Sequence, residues 1–303
     1  MSIRIVCPLP TPLGDGEELD VPALRRLIER LVPQVDAFFL LGSSGESATL
    51  RDRVRAALVE RACEIIAGRR PVWIGIGEAG TERAIDNARR FAGSGADAFV
   101  VCGPYYFGAA AQSDLVIHHR RIADAVTKPL YLYNIPQLTG LALSPESVAA
   151  LAEHVNVVGI KDSSGDFIAF QAYLAAGGDG FAAYQGREDL LAASMWLGGS
   201  GVVSALASVG PQLLRALIEA VLADDHEAAA RLQRDVVRAS RVFFVTHPVA
   251  GLKMALAAQG LMGPLTAAPM QGYDRRTASR IRALLAESGL LTIGEATARP
   301  VVS

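Results

Sequence analysis

"PESVAALAEHVNVVGIKDSSGD", Pro145 to Asp166, passes from a helical pattern straight into a β-type run and then into a Ser/Gly-rich loop. Side chains alternate along a strand, so Val157, Gly159 and Lys161 share one face and Val158 and Ile160 the other. Apart from Lys161 both faces are apolar, as in a parallel strand covered by helices on its outer side. The same unit recurs along the chain. β-type runs are predicted at Arg4–Cys7, Ala37–Leu41, Val72–Gly75, Ala98–Cys102, Leu130–Tyr133, Val157–Lys161, Phe181–Tyr184 and Gly201–Ser204. Amphipathic helical stretches such as "DVPALRRLIERLV" and "LRDRVRAALVERACEIIAG" lie between them. Alternating strand and helix means parallel strands with crossover helices. Eight such units predict an α/β fold, a closed (β/α)8 TIM barrel, over residues 1–222. No G-x-G-x-x-G follows the first run, so a dinucleotide fold has little support. From 223 to 296 the pattern is helical only, as in "DHEAAARLQRDVVRASRVFF", "HPVAGLKMALAAQG" and "DRRTASRIRALLAESG". With no flexible linker before it, this segment reads as a C-terminal helical extension packed on the barrel. The tail, 297–303, reads as disordered.

Composition narrows the function. The chain has 303 residues and a formal net charge of −2, with no basic run, so nothing electrostatic points to nucleic acid or an anionic membrane. Neither a signal-peptide stretch in "MSIRIVCPLPTPLG" nor a span of transmembrane length is found. Cys7, Cys63 and Cys102 are isolated in apolar surroundings and read as reduced, buried thiols of a cytoplasmic protein. The five histidines lack metal-ligand spacing, and His118 and His119 are adjacent, so no metal site is predicted.

Only three of the 29 basic residues are lysines: Lys128, Lys161 and Lys253. Arginine stays protonated and cannot readily form an imine, so a surviving lysine can mark a position that needs an amine. Biased codon usage would produce the same scarcity. Lys128 precedes Pro129 in a loop and reads as a solvated surface lysine, whereas the role of Lys253 in its helical pattern stays open. Lys161 is either a surface lysine at a strand end or a reactive amine.

In a barrel of this type the active site lies at the C-terminal ends of the strands. The second run is followed by "GSSGES", the fourth by "GPYYFG" and the seventh by "QGRED"; the fifth ends in "YNIPQLTG", the sixth in Lys161, and the eighth gives "GVVSALAS". If Lys161 points inward, Gly159 beneath it leaves room. Tyr131 and Tyr133 share a face, so Tyr133 can stand inward on the neighbouring strand and shuttle protons for an amine attacking a ketone. The alternative is a barrel tyrosine satisfied by a backbone carbonyl. "GSSGES" puts two hydroxyls and several amides in a turn that can cradle a carboxylate or phosphate, or it is a plain strand–helix turn. Thr49 and Asp52 read as the cap and N3 partner of the helix that follows.

Taken in order, "GSSGESATL", "GPYY", "YNIPQLTG", "GIKDSSGD", "GREDLL" and "GVVSALA" resemble the class I aldolase family of dihydrodipicolinate synthase and N-acetylneuraminate lyase, over nearly the whole chain. The resemblance implies a (β/α)8 barrel with C-terminal helices, commonly a homotetramer built as a dimer of dimers. It implies no bound cofactor, only a covalent imine between Lys161 and the ketone carbon of pyruvate or another 2-oxo acid. Tyr133 would be the proton shuttle. Ser43 would relay protons to Tyr106, which in much of the family comes from the neighbouring subunit. Ser44 and its amide would hold the substrate carboxylate, Val203 would line the site through its backbone, and Gly186 would let the substrate approach closely. Family members often carry threonine at one or both serine positions.

The synthase has an arginine in its "YN-x-P" loop that helps bind a substrate carboxylate, and this chain has Leu138 there. Loss of that charge-assisted contact disfavours aspartate semialdehyde. The motif looks more like the lyase and sugar-acid aldolase branch, where acidic residues after the seventh strand receive hydroxyls. Glu188 and Asp189 would receive a polyol, Arg187 a second carboxylate or a phosphate, and Ser163 and Ser204 would add hydroxyl contacts. Each has a bland alternative as a solvated loop residue, and Asp189 as a helix cap. The reading is reversible aldol cleavage of a 2-keto-3-deoxy sugar acid to pyruvate and an aldehyde. Alternatives are dihydrodipicolinate synthase, N-acetylneuraminate lyase, 4-hydroxy-2-oxoglutarate aldolase and a sugar-acid dehydratase. A non-catalytic 2-oxo-acid sensor is a different class, and it would not need the lysine, tyrosines and serine relay together.

Overall fold

The computed structural model describes residues 4–178, 180–270 and 274–291. Eight strands pair in sequence order as one closed barrel. They are β1 (Ile5–Pro8), β2 (Ala37–Leu40), β3 (Val72–Gly75), β4 (Ala98–Cys102), β5 (Leu130–Asn134), β6 (Val157–Asp162), β7 (Ala182–Gln185) and β8 (Gly201–Val203). Each matches a predicted run to within one residue at either end. Strands β1, β2 and β3 are buried throughout, which is why their sequences are continuous apolar runs rather than alternating ones.

The helices obey local rules. Val21–Leu31 starts where the Asp20 side chain accepts the Ala23 N–H, with Pro22 in the first turn. It buries Ala23, Leu24, Leu27, Ile28 and Leu31, the spacing of one helical face. The capping expected of Thr49 and Asp52 is not formed. The helix Asp52–Ile66 has Arg51 at its N-cap with no side-chain bond, and the Thr49 hydroxyl donates to the Glu46 carbonyl at 3.1 Å. The reason lies in the turn. Glu46 is left-handed at φ 60°, and its carbonyl takes the N–H groups of Thr49 and Leu50 before the helix begins.

Contacts group the chain into two compact units. Of the described residues, one unit holds 4–6 and those within Pro71–Ser204, and the other holds Cys7–Arg70 and those from Ala205 to Leu291. The first carries β3 to β8. The second carries β2 and the C-terminal helices Pro211–Leu222, His226–Ser240, Pro248–Ala258 and Arg275–Glu287. The tail 297–303 lies outside the described residues. Among the described residues no helix is long and apolar enough to cross a membrane.

Candidate active site

In the first unit, β5 and β6 pair so that Tyr133 stands beside Lys161 and Asn134 beside Asp162. Period two sends Tyr131, Tyr133, Gly159 and Lys161 to one face. That face is the barrel interior. Tyr131 stacks on Trp73 of β3 at 4.2 Å and meets Tyr184 of β7 edge-on at 6.0 Å. Rings from three alternate strands form one layer, as barrel interiors do. A Cβ on Gly159 would fall 2.3 Å from the Ala182 carbonyl and 2.8 Å from the Tyr131 ring. The space that glycine leaves below Lys161 is therefore filled by the Tyr131 ring. The sequence reading missed Trp73 and Tyr184, although alternation along β3 and β7 would have put both inside.

Lys161 is 7 % exposed and Tyr133 6 %, with the Lys161 Nζ 4.1 Å from the centroid of the Tyr133 ring. The reading of Lys161 as a surface lysine is thereby removed. On the opposite face, Asn134 Nδ2 donates to Asp162 at 2.8 Å and to the Tyr173 oxygen at 3.2 Å. The N–H and hydroxyl of Ser164 also donate to Asp162. Tyr173 donates to the Leu143 carbonyl at 2.5 Å, and the Leu143 N–H donates to Asn134. Burial pushes the Asp162 carboxyl above its ordinary range, against the pull of its Ser164 and Asn134 donors. This buried network ties together the ends of the two strands that carry Tyr133 and Lys161. Its sequence signal was a polar residue one step beyond each.

Cys102 is the register partner of Tyr133 on β4, and burial pushes its thiol up to about 11. The loop after β3 supplies Glu78, which is 7 % exposed. Glu78 accepts from Asn87 and from the Tyr105 hydroxyl, both at 3.3 Å, and pairs with Arg83. No motif around Glu78 marked this carboxylate in advance. Tyr105 is thus held within the chain, whereas Tyr106 is 89 % exposed, edge-on to Phe107, with φ 72°.

After β7, the Gly186 N–H donates to the Asp162 carbonyl at 2.6 Å, and a Cβ there would meet Ser163 Oγ at 2.0 Å. Ser163 and Gly186 are therefore packed against each other. The Ser204 hydroxyl donates to the Glu188 carboxylate, which burial holds above the usual carboxylate range. Arg187 binds Asp189 through two bonds of 3.0 and 2.7 Å. The next helix, Leu191–Trp196, has Leu190 at its N-cap, so Asp189 serves Arg187 and not the helix. Leu138 is 60 % exposed, while its neighbour Gln137 ties this loop to the carbonyls of Ser163 and Ser164. Val203, at the end of β8, is buried.

In the second unit, Ser43 and Ser44 are half-buried in the 3₁₀ turn Ser43–Gly45 that follows β2. Gly42 is required at its entrance, since a Cβ would lie 2.8 Å from the Phe39 ring. Thr11 donates to the Gly45 carbonyl at 2.7 Å. Among the described residues no cluster of three or more His, Cys, Asp or Glu side chains is arranged to hold a metal.

The Dihydrodipicolinate synthetase family model matches residues 1–288. The chain belongs to this family. It is therefore a class I, pyruvate-dependent lyase by membership. It is 37 % identical over 255 residues to the 4-hydroxy-tetrahydrodipicolinate synthase of Exiguobacterium sibiricum, covering 84 % of this chain and 86 % of the relative. To that of Salinibacter ruber it is 34 % identical, covering 97 % and 98 %. Among solved structures, YagE, a prophage protein of the dihydrodipicolinic acid synthase family from E. coli K12 in complex with pyruvate, superposes with a TM-score of 0.91. YagE shares 29 % identity, over 95 % of this chain and 99 % of its own.

Proposed function

We propose that Lys161 forms an imine with a 2-oxo acid and that the enzyme makes or breaks a carbon–carbon bond next to that imine. The observation that carries this is the buried Lys161 Nζ, 4.1 Å over the Tyr133 ring. The amine adds to the ketone carbon, and loss of water gives the imine, with Tyr133 passing the protons. In the cleavage direction Tyr133 takes the proton of the hydroxyl on the carbon that becomes the aldehyde, while the imine takes up the electron pair of the breaking bond, leaving an enamine of pyruvate and a free aldehyde. Protonation and hydrolysis of the enamine return pyruvate and Lys161. Ser43 belongs to the proton relay together with Tyr106 of a neighbouring subunit, and Ser44 holds the carboxylate, in the roles the resemblance gives them. The pyruvate bound to YagE supports the donor half of this reading.

For the aldehyde half the site favours a hydroxylated one, from a 2-keto-3-deoxy acid. Leu138 offers no charge to a second carboxylate, whereas Glu188 and Ser204 offer a hydrogen-bonding pair for hydroxyls. Ser163 and Arg187, in the loops after β6 and β7, would add a hydroxyl and a positive charge. The names of the curated relatives favour a second reading, condensation of pyruvate with aspartate semialdehyde.

Borohydride reduction in the presence of pyruvate, followed by peptide mass mapping, tests the chemistry. A stable adduct on Lys161, absent from Lys161→Ala, is expected; an unmodified native Lys161 with both pyruvate and 2-keto-3-deoxygluconate would sink the proposal. Turnover of 2-keto-3-deoxygluconate compared with that of pyruvate plus aspartate semialdehyde then decides between the two aldehydes.

A further inference from the structure

The proposed chemistry leaves the second buried lysine unused. Lys253, on the helix Pro248–Ala258, forms an ion pair with Glu46, and both side chains are 0 % exposed. Lys253 Nζ also donates to the Leu265 carbonyl at 2.7 Å, and Glu46 Oε2 accepts the Ala267 N–H at 2.7 Å. Burial pulls the Lys253 ammonium below its ordinary range, while Glu46 pulls it back.

Glu46 is the residue that closes the Ser43–Gly45 turn. Its N–H donates to the Ser43 carbonyl at 3.1 Å, and its own carbonyl takes the N–H groups of Thr49 and Leu50. It does this in a left-handed conformation, φ 60°, which is unfavourable for a glutamate unless its surroundings impose it. A wholly buried ion pair is also a poor way to add stability. Desolvating both charges offsets their attraction, and well-packed apolar residues of similar volume often serve as well or better. The pair's anchorage to the turn therefore points to geometry.

We infer that the Lys253–Glu46 ion pair positions the Ser43–Ser44 turn for the imine chemistry of Lys161. This rests on the roles proposed above for Ser43 and Ser44. Lys253 and Glu46 are positioning residues that touch no substrate. The helix Pro248–Ala258, remote in sequence from the turn, thus supplies the counter-charge that fixes Glu46, the residue closing it.

The test compares the full-length native chain with the double variant Glu46→Leu/Lys253→Met and with Glu46→Gln, each in the borohydride trap with pyruvate. Thermal melting checks folding. The double variant is expected to melt close to the native protein, because it exchanges a buried pair for apolar packing. Its trapping rate per unit pyruvate should fall about 100-fold, the cost of a displacement near 1 Å in an active-site group. The loss should divide between a raised half-saturating pyruvate concentration, from Ser44, and a slower rate at saturation, from Ser43. Glu46→Gln keeps shape and an acceptor but removes the charge, so it remains informative if the double variant does not fold; it should lose at least about tenfold. Native-like trapping in any folded variant lacking the pair overturns this inference alone. Absence of an adduct in the native protein overturns the proposed function and this inference with it.

Discussion

Two of the three lysines are buried, and their surroundings separate their uses. Lys253 meets the Glu46 carboxylate and the Leu265 carbonyl, whereas Lys161 lies over a phenol ring at a strand end. Scarcity in the sequence marked both. What it could not supply was the partner, since Glu46 lies far from Lys253 along the chain and sits in a motif that read as an anion cradle. Leu138 is the residue where the site departs from the synthase pattern, and at 60 % exposure it has room for a longer side chain. Leu138→Arg restores the charge-assisted contact to a second carboxylate. It is expected to raise kcat/KM for aspartate semialdehyde about 10- to 100-fold, the range of one charged hydrogen bond. A coupled assay of pyruvate consumption reads this directly. No gain would mean that the acceptor is chosen by something other than this position.

Elements were legible where their period was clean. The strand ends fell within one residue of the observed ones, because a parallel strand covered on both faces is a short apolar run between polar loops. The start of Asp52–Ile66 was not, because the left-handed Glu46 takes the amide bonds that Thr49 was expected to organise. The helix Gln112–Ala125 shows a second limit. Adjacent His118 and His119 read only as a pair unable to share a metal, yet both are buried, with ring centroids 5.0 Å apart. The His119 Nδ1–H donates to the Leu115 carbonyl at 2.7 Å, and His118 Nδ1 bonds the Thr81 hydroxyl at 2.9 Å. Burial lowers His118 to about 4 and His119 to about 3, with Arg121 and the neighbouring ring adding to the shift. The unfolded chain therefore takes up protons near pH 6.5 that the folded chain refuses. The stability from these neutral imidazoles is fully present above pH 6.5 and is lost progressively as pH falls through 4 toward 3. The loss should be on the order of a few kcal/mol. Denaturant unfolding of the native protein and of His119→Gln between pH 7 and 4 checks this. The variant should start less stable and show a shallower decline; parallel curves would show that His119 is not the sensor.

At the scale of the whole molecule, the alternation of eight strands with helices was enough to specify a closed barrel, because eight crossover units leave no better use for their apolar faces. The layer of Trp73, Tyr131 and Tyr184 was not foreseen, since it brings together strands that are neighbours in neither sequence nor sheet. Tyr106 raises the remaining question at this scale. A hydroxyl proposed for the relay is 89 % exposed in its own chain, beside Phe107 at 84 %. If it serves a neighbouring subunit, two inactive variants must complement each other. Lys161→Ala lacks the amine but carries a native Tyr106; Tyr106→Phe lacks the hydroxyl but carries a native Lys161. In a mixed oligomer the second protomer's site holds Lys161 and receives Tyr106 from the first, so it is complete. Co-expression with two affinity tags, isolation of the mixed species and assay of turnover should recover up to about half of native activity per pair, well above either variant alone. If Tyr106 acts only within its own chain, no complete site is formed, and the mixture gives the mean of its two components.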